Sequence, residues 1–565
     1  MIKNKYIILA TLVILIVINL VASKYHTRVD LTNEKRFTLT SSTKSLLNNL
    51  QHPLEIQVFL KGDFPSGFRN LSSSTSDLLQ EFREIAGPKI RFSFISPDDK
   101  IPGTEHTFSD TLASYELYPI NLTSQIKEGQ QQQFVFPFAL VTYEGKTIPV
   151  ELYKGKTPLI SFAELSSAES MLEYNFAEAI SRVTATEKAL IGYATGNGEP
   201  MGSKVYDLVE NILLPDYNLA TFDLNVHPVI PKEMKVFMIV KPTIPFTEYE
   251  KLKIDQYVMN GGKLFLLFDK LDAEMDSLQI KNEVIAYDRN LNLDDLLFKY
   301  GVRVNSDLVM DLQGDYLPFD VNGNGQFELL PWNYFPVIES KENHPINKNL
   351  GFVSLRFANS IDTVGSEGIS KTILLSSSSN SRTIGTPALI SGRENVMAAE
   401  DNKFKKSAIP VGVLLEGKFT SYFKNRLSSS LNDSLLKNNE KFIPQSEISN
   451  KMIIVSDGDI VLNDIVKGNT PIPMGMNPYT YGSQREFPFA NRDFIKNSLE
   501  YLSDINNLSE AKSKDIAVRL LDTKKVNEEK TKWQWLNLLL PPFLIILFGL
   551  IFQILRKNKY SNKFS

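Results

Sequence analysis

Lys235 to Asp269 reads KVFMIVKPTIPFTEYEKLKIDQYVMNGGKLFLLFD, and its reading decides the fold. Two apolar runs, KVFMIVKP (Lys235–Pro242) and KLFLLFD (Lys263–Asp269), flank FTEYEKLKIDQYVMNGG (Phe246–Gly262). Neither run alternates with polar residues, which predicts strands buried on both faces. Between them, Thr247 and Glu250 are spaced as a capping box, and Gly261-Gly262 stops the helix. A strand–helix–strand unit of this kind belongs to a parallel sheet covered on both sides.

Working outward, the same alternation continues. ALIGYA (Ala189–Ala194) reads as a buried strand, TGNGEP (Thr195–Pro200) as a Gly-rich turn, Val205 to Leu214 as a helix and NLATFDL (Asn218–Leu224) as a strand. Further strands are expected at Lys371–Ser376, Ile409–Leu415 and Met452–Ser456, and a closing helix at Asp493–Leu502. Ser391–Lys406 and Ser428–Lys441 read as loops. Residues 187–505 are therefore expected to form one large α/β domain, followed by a polar stalk over 506–532.

Residues 29–186 carry a different order. Thr40 or Ser42 can cap a helix bearing Leu46, Leu47 and Leu50. LEIQVFL (Leu54–Leu60) is a strand, Ser72–Gly87 a helix with a Gly stop, and IRFSFISP (Ile90–Pro97) a second strand. Asp98 to Gln133 is polar, ends in a glutamine run, and reads as a mobile insertion. FVFPFALVTYEGKTIPVELY (Phe134–Tyr153) is two strands about Glu144-Gly145, and Ser166–Thr184 is a helix. The order β-α-β, insertion, β-β-α resembles a thioredoxin-like module, with Pro137 in the place of its cis-proline. There is no Cys-x-x-Cys, so redox chemistry is not expected.

Two apolar segments bracket this body: Tyr6–Ala22 and Leu536–Leu555. A hydrocarbon core of about 30 Å needs ~20 apolar helical residues, so both are candidate spans. Lys3 and Lys5 precede the first; Arg556, Lys557, Lys559 and Lys563 follow the second, with no acid beside either set. By the positive-inside rule both termini read cytoplasmic and the body extracytoplasmic. Residues 1–28 are thus an anchor and 533–565 a membrane helix with a basic tail; cleavage after Val21-Ala22-Ser23 is the rival reading of the first segment.

The chain has 565 residues with 61 basic and 65 acidic side chains, no cysteine and five scattered histidines. Balanced charge argues against a nucleic-acid footprint. The missing cysteines exclude disulfides, thiolate metal sites and Cys nucleophiles, and no histidine spacing suggests zinc.

Few constellations could carry chemistry. TGNGEP follows a strand and precedes a helix, where α/β sheets bind ligands. Gly196 and Gly198 would permit close backbone approach, and Glu199 would oppose a phosphate. It lacks the P-loop Gly-Lys-Ser/Thr and the dinucleotide G-x-G-x-x-G spacing. The two readings are a tight strand–helix turn and a small-ligand site at Gly196, Gly198 and Glu199. DVNGNGQFE (Asp320–Glu328) imitates a calcium loop but has Pro331 where the bidentate Glu belongs, so a turn is expected. SDGD (Ser456–Asp459) reads as a hairpin turn. No catalytic residue, metal site or cofactor is expected.

VDLTNEKRFTLT, FPFALVTYEGK, AESMLEYNFAEAI, YATGNGEP, VFMIVKP…YVMNGGKLFLLFD, LLEGKFTSYFKNR and WQWLNLLLPP occur in this order along the whole chain. Together they resemble the GldG family, gliding-motility-associated auxiliary proteins of an ABC transporter, often labelled substrate-binding components. The resemblance implies a central domain related to intraflagellar-transport proteins and to the Rossmann-like glutamine amidotransferase fold, here without the nucleophilic cysteine. It also implies a complex with a permease subunit (GldF-like) and a cytoplasmic ATPase (GldA-like). The function expected is a non-enzymatic, membrane-anchored extracytoplasmic subunit. The alternative is a receptor for a carbohydrate or peptide at the TGNGEP edge.

Overall fold

The computed structural model describes residues 38–561, apart from 63, 116, 127–128, 155–159, 276–277, 279–282, 321–323, 341–343, 392–400, 467–468, 504–507 and 513–522. The first apolar segment, Tyr6–Ala22, lies outside the described residues. Two compact units divide the chain, Met1–Lys514 and Asp515–Ser565.

The first unit begins with helix α1 (Ser41–Asn48), whose Thr40 cap accepts the Thr43 N–H. Thr40 also donates twice to Glu173, through its backbone N–H at 2.7 Å and its hydroxyl at 2.9 Å. Strands β1 (Leu54–Val58), β2 (Ile90–Phe94), β3 (Phe138–Tyr143) and β4 (Lys146–Glu151) form one sheet in the order β2-β1-β3-β4. β1 and β2 are parallel, whereas β3 runs antiparallel to both β1 and β4. The β3–β4 turn has positive φ at Glu144 (48°) and Gly145 (81°), the signs a tight two-residue hairpin turn requires. Helices α2 (Ser66–Ala86) and α3 (Phe162–Thr184) share the core of this sheet, with Phe82 and Phe176 edge-to-face at 6.5 Å. Ser161 and Glu164 close a capping box at the start of α3.

Two expectations need correcting here. The cis peptide among the described residues is Thr386-Pro387, not the bond before Pro137. The polar stretch 98–133 is not one open loop. It holds a helix, Phe108–Ser114, with a capping box from Thr107 and Asp110, and a hairpin pairing Ile120–Ile126 with Gly129–Val135. The glutamine run lies in that hairpin because Ile120, Leu122 and Val135 at its base join the sheet core.

The central sheet has seven strands: β5 (Leu190–Thr195), β6 (Asn218–Asp223), β7 (Met234–Val240), β8 (Lys263–Leu267), β9 (Ile369–Ser376), β10 (Pro410–Gly417) and β11 (Asn450–Val455). Their order is β9-β10-β11-β8-β7-β5-β6. From β6 to β11 all neighbours are parallel. β10 is antiparallel to both of its neighbours, which corrects the expectation of an all-parallel sheet. The period of two sorts the strands onto two cores. Val236, Met238, Val240, Phe265 and Leu267 face one core with Phe494, Ile495 and Leu499 of α6 (Asn491–Ser503). Phe237, Ile239, Leu264 and Leu266 face the other with Leu252, Tyr257 and Val258 of α4 (Glu248–Met259). Thr247 and Glu250 form the capping box read from the sequence.

Between β8 and β9 the chain adds α5 (Asp294–Tyr300) and short antiparallel sheets, including Gly314–Phe319 with Glu328–Glu339. These strands were not anticipated. Their core is aromatic: Trp332 lies 5.0 Å from Phe335, 5.2 Å from Tyr334 and 5.6 Å from Phe357, ring centre to ring centre. The stretch 428–441, read as a loop, contains a helix over Ser429–Lys437. Ser428 caps it, and Leu431 and Leu435, one turn apart, reach the α4 core.

The second unit contains α7 (Thr523–Ser561), which runs through Pro541-Pro542. Glu529–Asn558 within it is long and apolar enough to cross a membrane, with mean hydropathy 2.5 and none of its most apolar window buried. At 1.5 Å per residue α7 is about 58 Å long, more than a bilayer core of about 30 Å takes up.

Candidate functional site

The chain leaves β5, lays β6 on one side and returns to place β7 on the other, so the sheet's topological switch point lies between β5 and β7. Open α/β sheets hold ligands in the crevice at such a point. TGNGEP forms one wall of it. Gly196 and Gly198 have φ of 109° and 84°, which only glycine adopts cheaply. A Cβ at Gly198 would fall 2.0 Å from the Thr243 hydroxyl, and one at Gly196 would fall 2.5 Å from both the Asp223 carboxylate and the Asn225 amide. The close approach that glycine permits is therefore made by the protein itself. The N–H groups of Thr243 and Ile244 both donate to the Asn197 carbonyl, at 2.8 and 2.9 Å, and bridge the crevice.

Glu199 is buried, and one carboxylate oxygen accepts the Asn197 N–H at 2.8 Å. Its other oxygen and the Asn197 side-chain oxygen are buried without a hydrogen bond. Burial pushes the Glu199 carboxyl above its ordinary range; the backbone N–H groups of Glu199 itself and of Asn197 oppose this, and Glu250 and Asp223 add to the rise. The surroundings are acidic, so a phosphate is disfavoured, as the sequence suggested.

A raised carboxyl adds stability that is full below pH 4.5 and is lost as pH rises through its folded value. Glu199→Gln is accordingly expected to melt like the parent at pH 4.5 and above it at pH 8. A variant that melts lower at pH 8 would show that the ionised carboxylate is held by a partner group.

The sequence missed a stronger constellation two strands along. β7, β8 and β11 end at neighbouring carboxyl edges, bringing Lys241, Asp269, Asp457 and Asp459 together. SDGD is not a hairpin turn; it leads from β11 into a 3-10 turn at Asp459–Val461. Carboxylate oxygens of the three aspartates lie within 4.8 Å of one another. The Lys241 ammonium sits 2.5 Å from Asp459, 3.1 Å from Glu274 and 3.2 Å from Asp269, so the place a cation would take is filled by the chain. Gly458 N–H donates to Asp269 at 2.6 Å; Arg356 and Asp459 N–H donate to Asp457 at 2.6 and 2.7 Å.

Burial drives Asp457 well up, helped by the charges of Asp459 and Asp269, and lifts Asp269 to about 6 against the pull of Lys241. Burial alone would lower Lys241, yet Asp269, Asp459 and Glu274 hold it above its ordinary value. An ammonium held so firmly is no nucleophile or general base at neutral pH. The legible signal was an acid closing each of two apolar strands, at Phe268-Asp269 and Ser456-Asp457.

The calcium-like loop is a turn in its described part: the Asp320 carboxylate accepts the N–H groups of Asn324 and Gly325, both at 3.1 Å. Asn322 lies outside the described residues.

Residues 188–498, more than half of the chain, match the family described as an ABC-type uncharacterized transport system. The chain belongs to this family. Residues 33–142 of this transport-system protein also match a domain of unknown function, DUF7088. It is 22% identical over 547 residues to an uncharacterized protein of Borreliella burgdorferi (strain ATCC 35210 / DSM 4680 / CIP 102532 / B31), covering 94% of each chain. Among solved structures it is similar to the mmIFT52 N-terminal domain, at 12% identity and TM-score 0.30 over 56% of this chain and 97% of that one.

Proposed function

We propose that this member of the transport-system family is the non-enzymatic, membrane-anchored extracytoplasmic subunit of an ABC transporter associated with gliding motility, of the GldG kind. The observation that carries this reading is the family match over the central sheet in a chain whose described residues include an exposed apolar helix of membrane-spanning length. In this reading residues 29–186 are a thioredoxin-like module without redox chemistry, and 187–505 an amidotransferase-like domain without a nucleophile. Tyr6–Ala22 is a second anchor, both termini are cytoplasmic, and the body is periplasmic. Partners are a GldF-like permease and a GldA-like ATPase, the latter a separate chain because neither Gly145-Lys146-Thr147 nor Gly155-Lys156-Thr157 has the earlier glycine of a phosphate loop, Leu140 and Val150 standing in its place. The receptor alternative, with Gly196, Gly198 and Glu199 as its site, is less well supported. The Asp223, Asn225 and Thr243 side chains occupy the space above both glycines.

Purification in mild detergent tests the proposal. The full chain is expected to bring down a permease and an ATPase, and a chain ending at Lys532 to bring down neither. Recovery of both partners by the truncated chain would remove α7 from the assembly. Reporter fusions that work only outside the cytoplasm should be active after Lys525 and silent after Lys557. Activity after Lys557 would overturn the topology.

A further inference from the structure

Asn197 Oδ1, Glu199 Oε1 and Glu250 Oε1 are buried oxygen atoms without a hydrogen bond. Each belongs to a side chain more than nine-tenths buried: Asn197 is 1% exposed, Glu250 2% and Glu199 8%. The other oxygen of each carboxylate is engaged. Glu199 accepts the Asn197 N–H at 2.8 Å, and Glu250 accepts the Thr247 N–H at 2.7 Å and the Thr247 hydroxyl at 2.9 Å.

The fold brings these groups to one side of the switch point. Ile244, whose N–H donates to the Asn197 carbonyl, stands three residues before the Thr247 cap of α4, and Glu250 lies in the first turn of that helix. The charges of Glu250 and Asp223 both act on Glu199. Lys253 is the basic side chain that Glu250 and Asp223 act on, but its ammonium donates to the Leu224 carbonyl and lies 4.3 Å from the centre of the Tyr249 ring. The free oxygens of Glu199 and Glu250 are therefore left to something else.

We propose that Asn197, Glu199 and Glu250 form a calcium site that ties the TGNGEP turn to the start of α4. Buried acceptors without a donor call for a cation or a proton. An all-oxygen set suits a hard cation, and calcium takes irregular coordination at about 2.3–2.6 Å. A bridging water needs about 2.8 Å from each oxygen, and these oxygens present no surface to one. Magnesium demands a near-ideal octahedron and keeps several waters of its own, which so buried a place does not admit. The Asp223, Asn225 and Thr243 side chains above Gly196 and Gly198 shut out a sugar or a peptide, but a bare ion needs far less room.

The probe is calcium chloride, on full-length protein in detergent at pH 8. Calorimetric titration should find a site with a dissociation constant of about 10⁻⁴–10⁻³ M, the range of extracellular calcium modules. Glu199→Gln should weaken it about tenfold or more, since losing even an outer partner of a metal site costs 10–100-fold. Asn197→Asp keeps an oxygen ligand and adds charge, so it should bind at least as tightly as the parent. Loss of binding there would show that the amide serves Glu199 as a donor, and overturns the site. Melting separates an ion from a proton. In EDTA, Glu199→Gln is expected to melt above the parent; about 5 mM calcium should raise the parent by about 2 °C or more and leave the variant unmoved. No shift in the parent, or equal shifts in both, overturns the proposal. So does binding that is lost in Asp320→Asn, in the calcium-like loop, and kept in Glu199→Gln. Co-purification of partners tests the transporter reading without reference to calcium, so either can fail alone.

Discussion

Replacing Lys241 with methionine is expected to cost about 3–5 kcal/mol of stability at pH 8, as loss of one partner from a buried charge pair does. The variant keeps the aliphatic stem and loses the ammonium that lies against Asp269, Glu274 and Asp459. Buried carboxylates are then left facing one another. Protonation relieves them, so the deficit should shrink as pH falls toward 5. The sign follows from Asp269. Its carboxyl is lifted from 3.8 to about 6, so its contribution is full below 3.8 and lost as pH rises through about 6. Without Lys241 that loss deepens at the alkaline end. Urea unfolding of the full-length protein at pH 5 and pH 8 measures both numbers. A loss below about 1 kcal/mol at pH 8 would mean that the cluster is solvated like a surface pair.

Asp255→Ala should cost a similar amount, about 3–5 kcal/mol, for a different reason. Asp255 is fully buried in α4. It accepts from the Ser421 hydroxyl (2.7 Å), the Tyr422 N–H (2.8 Å), the Tyr300 hydroxyl (2.9 Å) and the Gln256 amide (2.9 Å). Truncation strands these donors in a dry place, and each buried unmet donor costs about 1–3 kcal/mol. Asp255→Asn keeps one accepting oxygen and should lose roughly half as much by the same reasoning. The same unfolding measurement decides; equal losses for alanine and asparagine would show that packing, rather than hydrogen bonding, is what Asp255 supplies. This hub also gives a structural role to Ser421 and Tyr422 within LLEGKFTSYFKNR.

Local chemistry was legible wherever a side chain acts on its own neighbourhood. Thr247 and Glu250 cap α4, Glu144-Gly145 turns the β3–β4 hairpin, and the apolar runs of β7 and β8 declare a sheet covered on both faces, because each is settled within a few residues. The candidate site was half legible. TGNGEP announced a strand-end turn that needs glycine, but what faces those glycines is Asp223, Asn225 and Thr243, residues from later strands. SDGD looked like an isolated turn because the lysine that gives it meaning lies 218 residues upstream of Asp459.

The sequence by itself determined the alternation of strands and helices, the caps, and the apolar segment that becomes α7, since these rest on periodicity, hydrophobicity and short-range hydrogen bonding. Only the tertiary structure decided the reversal of β10, the closing of the switch-point crevice, and the burial of charge. Lys251, Lys253 and Asp255 show the last point. Charged side chains are mostly exposed, yet α4 buries all three. Asp295 and the Tyr422 ring lie against Lys251, the Leu224 carbonyl accepts from Lys253, and Asp255 is enclosed by its four donors. A charge is buried when partners from distant segments arrive to compensate its lost hydration, and no local pattern reports their arrival.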